Sequence, residues 1–271
     1  MSFILLLLTA AVFMTPNTSV IERAPRHGGV YVVAHRGLHD GIPENTLAAY
    51  RAAIEAGADF VEIDLRETKD GHLVSVHNHT VDAYTEDARG PVHEFSLEEL
   101  RALNIGSPVA PEWADERIPT FEEILALCQG RIGIYLDLKQ GSVDNMVALV
   151  RQYDMTHDVL WYASTMHLRQ LRETCPECIL MPDPGPEQNL PRMFELFTPQ
   201  VVASVWRHLS ESFVRVCHEA GALVIVDDGG PDSWDTLLAW GVDGIQTDQV
   251  NELIEYLKTR NGHVPEFSKP R

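Results

Sequence analysis

Residues 31–80 read YVVAHRGLHDGIPENTLAAYRAAIEAGADFVEIDLRETKDGHLVSVHNHT, and the order of elements in this stretch decides the fold. Val30 to Ala34 is a short valine-rich apolar run, as in a strand buried on both faces of a parallel sheet. His35-Arg36-Gly37 stands at its C-terminal end. Beyond Pro43, Asn45 or Thr46 supplies a cap for LAAYRAAIEAGA, where apolar residues recur at helical spacing and Gly57 provides the stop. Phe60 to Leu65 is the next strand. Asp70-Gly71, lying between it and the run LVSVH, predicts a hairpin. A two-residue Asp70-Gly71 loop sets His77 opposite Asp64, and a bulge would slide that register by one residue.

Outward from this stretch, residues 81–120 are polar and irregular, interrupted by one short helical piece that Ser96 caps with Glu99 three residues later. They read as a small insertion after the second strand. FEEILALC is then a helix and RIGIYLDLK a third strand of the main sheet. Further strands fall near Val159–Ala163, Ile179–Met181, Val201–Val205, Leu223–Val226 and Gly244–Gln246, each followed by a helical pattern or a capped loop. Eight such units in one domain, residues 30–271, predict an α/β fold of the TIM (β/α)8 barrel type. A doubly wound open sheet is the alternative, and it calls for a G-x-G-x-x-G loop at the first crossover that this chain does not have.

The formal charge of −19 argues against binding nucleic acid or an anionic membrane, although a metal or local cation can reverse the potential inside one pocket. Phe3 to Met14, FILLLLTAAVFM, has the length of a signal-peptide core and is short for a membrane span. Residues 1–29 therefore read as a signal peptide and linker, giving a secreted or periplasmic protein with no membrane span in its mature domain. An apolar segment that stays on the chain as a membrane anchor is the other reading. Cys175-Pro-Glu-Cys178 has no second half-site nearby to complete a zinc shell, so a local disulfide or two idle thiols is expected.

In a barrel of this type the active site forms at the C-terminal ends of the strands, and residues two apart on a strand share a face. Glu62 and Asp64 then point one way, as do Asp137 and Lys139, beside His35 and Arg36 and, from the hairpin, His77. The carboxylates of Glu62, Asp64 and Asp137 suit one divalent cation, Mg2+ or Ca2+. Two imidazoles, His35 and His77, suit general acid and base roles. Arg36 and Lys139 suit a phosphoryl group. Trp206 is a candidate substrate wall or a core residue. His39, His79 and His208 lie in loops near the same mouth.

At these residues the chain resembles the glycerophosphodiester phosphodiesterase family. The resemblance rests on His35-Arg36-Gly37, Pro43-Glu44-Asn45-Thr46, Glu62-x-Asp64, Thr68-Lys69-Asp70-Gly71, His77 and the late Gly241-Val-Asp-Gly-Ile-x-Thr-Asp248. It implies a metal-dependent hydrolase, converting a small glycerophosphodiester into glycerol 3-phosphate and an alcohol. By position it makes Glu62, Asp64 and Asp137 the metal ligands, His35 and His77 the acid/base pair, and Arg36 and Lys139 the phosphate contacts. It also implies attack by the substrate's own glycerol hydroxyl through a cyclic phosphate. The chain departs from the pattern at Asp137, where glutamate is usual, at Asn78, where aspartate is usual, and at Val226-Asp227-Asp228-Gly229, which replaces a Trp-Thr-Val-Asn run. Two rival readings are a phospholipase D-like or lyase action on lysophospholipids, releasing a cyclic phosphate, and a non-catalytic barrel that binds phosphorylated polyols.

Overall fold

The computed structural model describes residues 21–261, so the apolar run Phe3–Met14 lies outside the described residues. β1 (Tyr31–Ala34), α1 (Leu47–Ala56) and β2 (Phe60–Glu67) form the first crossover. Thr46 caps α1 by accepting from the Ala49 amide, and Gly57 ends it at φ 90°. The hairpin strand β3 (Leu73–Ser75), the insertion helix α2 (Leu97–Ala102) and α3 (Phe121–Cys128) lead to β4 (Gly133–Leu138). The alternation then runs α4 (Val143–Gln152), β5 (Val159–Ala163), α5 (Thr165–Thr174), β6 (Ile179–Leu180), α6 (Leu190–Phe197), β7 (Val201–Val205), α7 (Glu211–Glu219), β8 (Leu223–Asp227), α8 (Trp234–Trp240), β9 (Gly244–Thr247) and α9 (Val250–Asn261).

Parallel pairing gives the order β6-β5-β4-β2-β1-β9-β8-β7, with β3 antiparallel on β2. β6 and β7 meet at a seam where the Ala203 amide donates to the Pro182 carbonyl at 3.0 Å, so the eight parallel strands make a nearly closed barrel. The pleat divides its residues. Inward positions such as Tyr31, Val33, Phe60, Leu160, Met181 and Ile225 pack together as the barrel interior. Outward ones such as Val61, Ile63, Leu136, Trp161 and Val224 pack against the helices. Followed toward the C-terminal ends, the inward series changes from apolar to polar: Phe60 gives way to Glu62 and Asp64, Met181 to Asp183, Ile225 to Asp227. The barrel thus has an apolar floor and a polar mouth.

The hairpin register differs from the two-residue loop. Leu65 pairs with Ser75 and Glu67 with Leu73, and the Val76 amide reaches the Asp64 carbonyl, so Val76 rather than His77 stands opposite Asp64. The loop is Lys69-Asp70-Gly71, with Gly71 at φ 83°. Side chains decide this: the Thr68 hydroxyl accepts from the His72 amide and donates to Asp70, whose carboxylate accepts from the Leu97 amide at the start of α2. The insertion has its own small core, including Val81, Val92, Leu100 and Ile118, packed on Val74 and Val76. Residues read as linker also join the fold, since Ile21 is buried in the barrel interior and Arg23 pairs with Asp158 at 2.8 Å. Cys175 and Cys178 form a disulfide, while Cys128 and Cys217 are buried free thiols. Among the described residues, no helix is long and apolar enough to cross a membrane.

Gly133 starts β4 where a Cβ would come within 2.4 Å of the Phe60 ring. Gly133→Ala is expected to cost about 1–3 kcal/mol in urea unfolding, as overpacking does. In a Phe60→Leu background the penalty should shrink; an equal penalty in both backgrounds would place its cause elsewhere.

Candidate active site

A cavity of about 200 Å3 opens at the mouth, and its lining includes His35, Arg36, Glu62, Asp64, His77, Asp137 and Lys139. The structure thus brings together every residue read from the sequence as catalytic, phosphate-binding or metal-ligating. Trp206 is not in that lining. It follows β7, stacks on Trp240 with ring centroids 5.5 Å apart, and lies against Gly229. Among the loop histidines, His39 reaches the site's edge, whereas His79 lies against His93 in the insertion and His208 beside Gly185.

Glu62, Asp64 and Asp137 offer carboxylate oxygens that all lie within 4.8 Å of one another. Glu62 is 2% and Asp64 0% exposed. Burial, and then the charges of Asp64 and Asp137, push the Glu62 carboxyl well above the usual range. Burial also raises Asp137, against the opposing pull of Lys139. Lys139 Nζ sits 2.6 Å from Asp137 Oδ2 and 3.1 Å from Asp64 Oδ1. Burial works against its charge, but those two carboxylates win and raise its pKa. One ammonium cannot neutralise three carboxylates, and Asp64 Oδ1 has no aligned hydrogen-bond donor. The set fits a hard divalent cation.

The first loop is held in strain around this cluster. Arg36 and Asn45 take φ values of 54° and 56°, and Gly37 has no room for a Cβ, which would lie 2.8 Å from Ala49. The Arg36 amide donates to Glu62 at 2.8 Å, and Asn45 Nδ2 donates to Asp64 at 2.8 Å. Asn45 Oδ1 in turn accepts from Tyr50 and Ser75, so two buried hydroxyls orient the amide that orients Asp64. Arg36 pairs with Glu44 through Nη1, while its buried Nε lies 3.8 Å from Asp64 Oδ2 and makes no hydrogen bond. Arg36 and Lys139 both line the cavity.

His35 Nδ1 lies 2.7 Å from Asp248 Oδ1, and His39 Nε2 lies 3.1 Å from the same oxygen. His77 Nδ1 is 3.0 Å from Asn78 Oδ1. With Nδ1–H donated to these oxygens, each catalytic-candidate imidazole keeps Nε2 for proton exchange. Asp248 stands in the late motif, but its tie to His35 follows only from closing the barrel between β9 and β1. Tyr135, Tyr162, Asp183, Asp227 and Gln246 also line the cavity. Inward spacing two residues from Asp137 was the available signal for Tyr135.

With this geometry in hand, the comparisons are direct. The profile of the glycerophosphoryl diester phosphodiesterase family matches residues 35–252. The chain belongs to that family of hydrolases. It is 30% identical over 244 residues to YhdW of Bacillus subtilis (strain 168), a protein assigned as a glycerophosphodiester phosphodiesterase, covering 86% of this chain and 100% of YhdW. It is 36% identical over 154 residues to a glycerophosphodiester phosphodiesterase of Caldanaerobacter subterraneus subsp. tengcongensis, and that match spans 54% of this chain and 63% of the relative. An Oleispira antarctica phosphodiesterase, solved with its product sn-glycerol-3-phosphate, superposes with a TM-score of 0.77 at 25% identity over 84% of this chain and 96% of that one.

The Asp248 contacts set a pH window. Hydrogen bonds from His35 and His39 hold the Asp248 carboxyl far below its ordinary range, so its contribution to stability is present above about pH 3.9 and fades as pH falls through the depressed value. The bond to Asp248 raises His39, so that contribution is full below about pH 6.5 and is lost as pH rises through the raised value. Asp248→Asn should therefore lower Tm most between about pH 4 and pH 6.5, with the difference shrinking as pH rises through the raised His39 value. Circular-dichroism melts showing the same difference at every pH would contradict this.

Proposed function

We propose that this protein hydrolyses glycerophosphodiesters to glycerol 3-phosphate and an alcohol, using one divalent cation and the His35–His77 pair. The observation that carries the reading is the convergence, on one cavity, of three mutually close carboxylates with two cationic side chains and two imidazoles. A pure polyol-binding barrel has no use for a paired acid and base. The sn-glycerol-3-phosphate in the Oleispira enzyme supports the same product here.

Glu62, Asp64 and Asp137 would hold the cation. When bound, Mg2+ or Ca2+ supplies charge neutralisation and polarises the phosphoryl oxygens. The Nε of Arg36 donates to a phosphate oxygen, and Lys139 places a second positive charge beside it. One imidazole takes the proton from the substrate's glycerol hydroxyl as its oxygen attacks phosphorus, and the other gives a proton to the departing alkoxide. A cyclic phosphate and a free alcohol result. Water then opens the ring by the reverse proton transfers, giving glycerol 3-phosphate. The apolar run Phe3–Met14 and the Cys175–Cys178 disulfide support export to an oxidising compartment.

Phosphorus NMR of a glycerophosphodiester incubated with the enzyme should show glycerol 3-phosphate. The turnover should be abolished by EDTA and restored by Mg2+ or Ca2+. His35→Ala and Glu62→Gln should each lower kcat at least about 100-fold. Undiminished turnover with EDTA and in both variants would overturn the reading, and a cyclic phosphate as the end product would replace hydrolysis with a lyase.

A further inference from the structure

The residues assigned to the cation and the phosphate leave part of the cavity wall unexplained. With the imidazoles neutral, a dication plus Arg36 and Lys139, set against the three ligand carboxylates and the Glu44 that pairs with Arg36, leaves no excess charge before substrate binds. The same cavity also contains Asp183 and Asp227, two carboxylates in surplus. Asp183 follows β6 and Asp227 ends β8, both continuing the inward series, and Asp227 lies near enough to His35 for the two charges to interact.

Between these two carboxylates stand Tyr135 and Tyr162, with ring centroids 5.7 Å apart at 43°. Tyr162 Oη reaches Asp183 Oδ2 at 3.5 Å, and the Gly185 amide pins the other oxygen of Asp183 at 2.6 Å. Tyr135 is only 7% exposed and lines the cavity. Gln246 is 6% exposed, its amide serves Asp227, and its Oε1 is buried without a donor. This wall therefore presents two carboxylates, a buried amide oxygen without a donor and two aromatic rings, with tyrosine hydroxyls that can accept as well as donate. A neutral polyol would bring as many acceptors as donors. An ammonium group brings only donors and a positive charge, and it also sits well against tyrosine faces.

We propose that the wall formed by Tyr135, Tyr162, Asp183, Asp227 and Gln246 is the subsite for the leaving alcohol and selects one that carries an ammonium group, such as ethanolamine. The inference rests on the glycerophosphodiesterase reading of the same cavity. A wider cavity of about 660 Å3 between α5 and α6 shares Asp137, Tyr162 and Asp183 with the catalytic one and gives the released alcohol its way out. Asp183, at the junction of the two, discriminates as the alcohol binds and as it departs.

The experiment compares kcat/KM for glycerophosphoethanolamine with that for the neutral diester glycerophosphoglycerol. The wild-type enzyme should favour the cationic diester at least about tenfold, and Asp183→Asn should reduce that ratio at least about fivefold. Tyr135→Phe, which removes only the hydroxyl, should reduce it about threefold. Saturation-transfer NMR should show ethanolammonium, but not its neutral isostere ethylene glycol, bound to the wild-type protein with phosphate present. Equal hydrolysis of both diesters, or a ratio unchanged in both variants, overturns the subsite while leaving the glycerophosphodiesterase reading intact. Hydrolysis of neither diester overturns both.

Discussion

Three carboxylates set side by side in a nearly dry mouth form the constraint on which the rest of this structure depends. Lost hydration, and then the neighbouring carboxylates, push the Glu62 carboxyl well above its usual range. The surroundings are arranged to limit it. Lys139 bridges Asp64 and Asp137, the Arg36 amide meets Glu62, and Asn45 meets Asp64. Arg36 and Asn45 hold left-handed backbone conformations, and the Asn45 amide to the Arg36 carbonyl closes the loop between them. That strain is local and is supported by Tyr50 and Ser75 beneath it.

The barrel makes such a cluster possible because its pleat separates two demands. Outward residues join strands to helices and carry the large apolar core, while inward residues fill the floor and then turn polar at the C-terminal ends. A substitution at Ile63 acts on packing, whereas one at Glu62 or Asp64 acts on charge, although the three are consecutive. The same alternation carries Asp183 and Asp227 to the mouth from strands that contribute nothing to the metal candidates.

Most of this was legible in the chain. Valine-rich runs separated by capped helical patterns announced the parallel strands, and the i, i+2 spacing of Glu62 and Asp64 announced a shared face. What was not legible depended on contacts between distant segments. The hairpin register turned on Thr68 and Asp70 reaching into the insertion, which local turn chemistry does not specify. Trp206 ends a strand, but its stacking on Trp240 requires knowing how β7 and α8 meet. Asp248 and His35 are separated by nearly the whole barrel in sequence and become neighbours only when β9 pairs with β1. Tyr135, Tyr162 and Gln246 carried no charge pattern, and only the closed ring shows that they share a wall with Asp183 and Asp227.

The account's central claim is that the Glu62, Asp64 and Asp137 cluster is built to be completed by a single divalent cation. Calorimetric titration of the metal-stripped protein with Mg2+ or Ca2+, repeated in buffers of different ionisation enthalpy, tests it most directly. One ion should bind per chain with release of protons from the cluster, because burial and the neighbouring carboxylates raise Glu62 and a bound cation favours its charged form. Absence of binding, or binding that persists unchanged when Glu62 and Asp64 are replaced by their amides, would contradict the account.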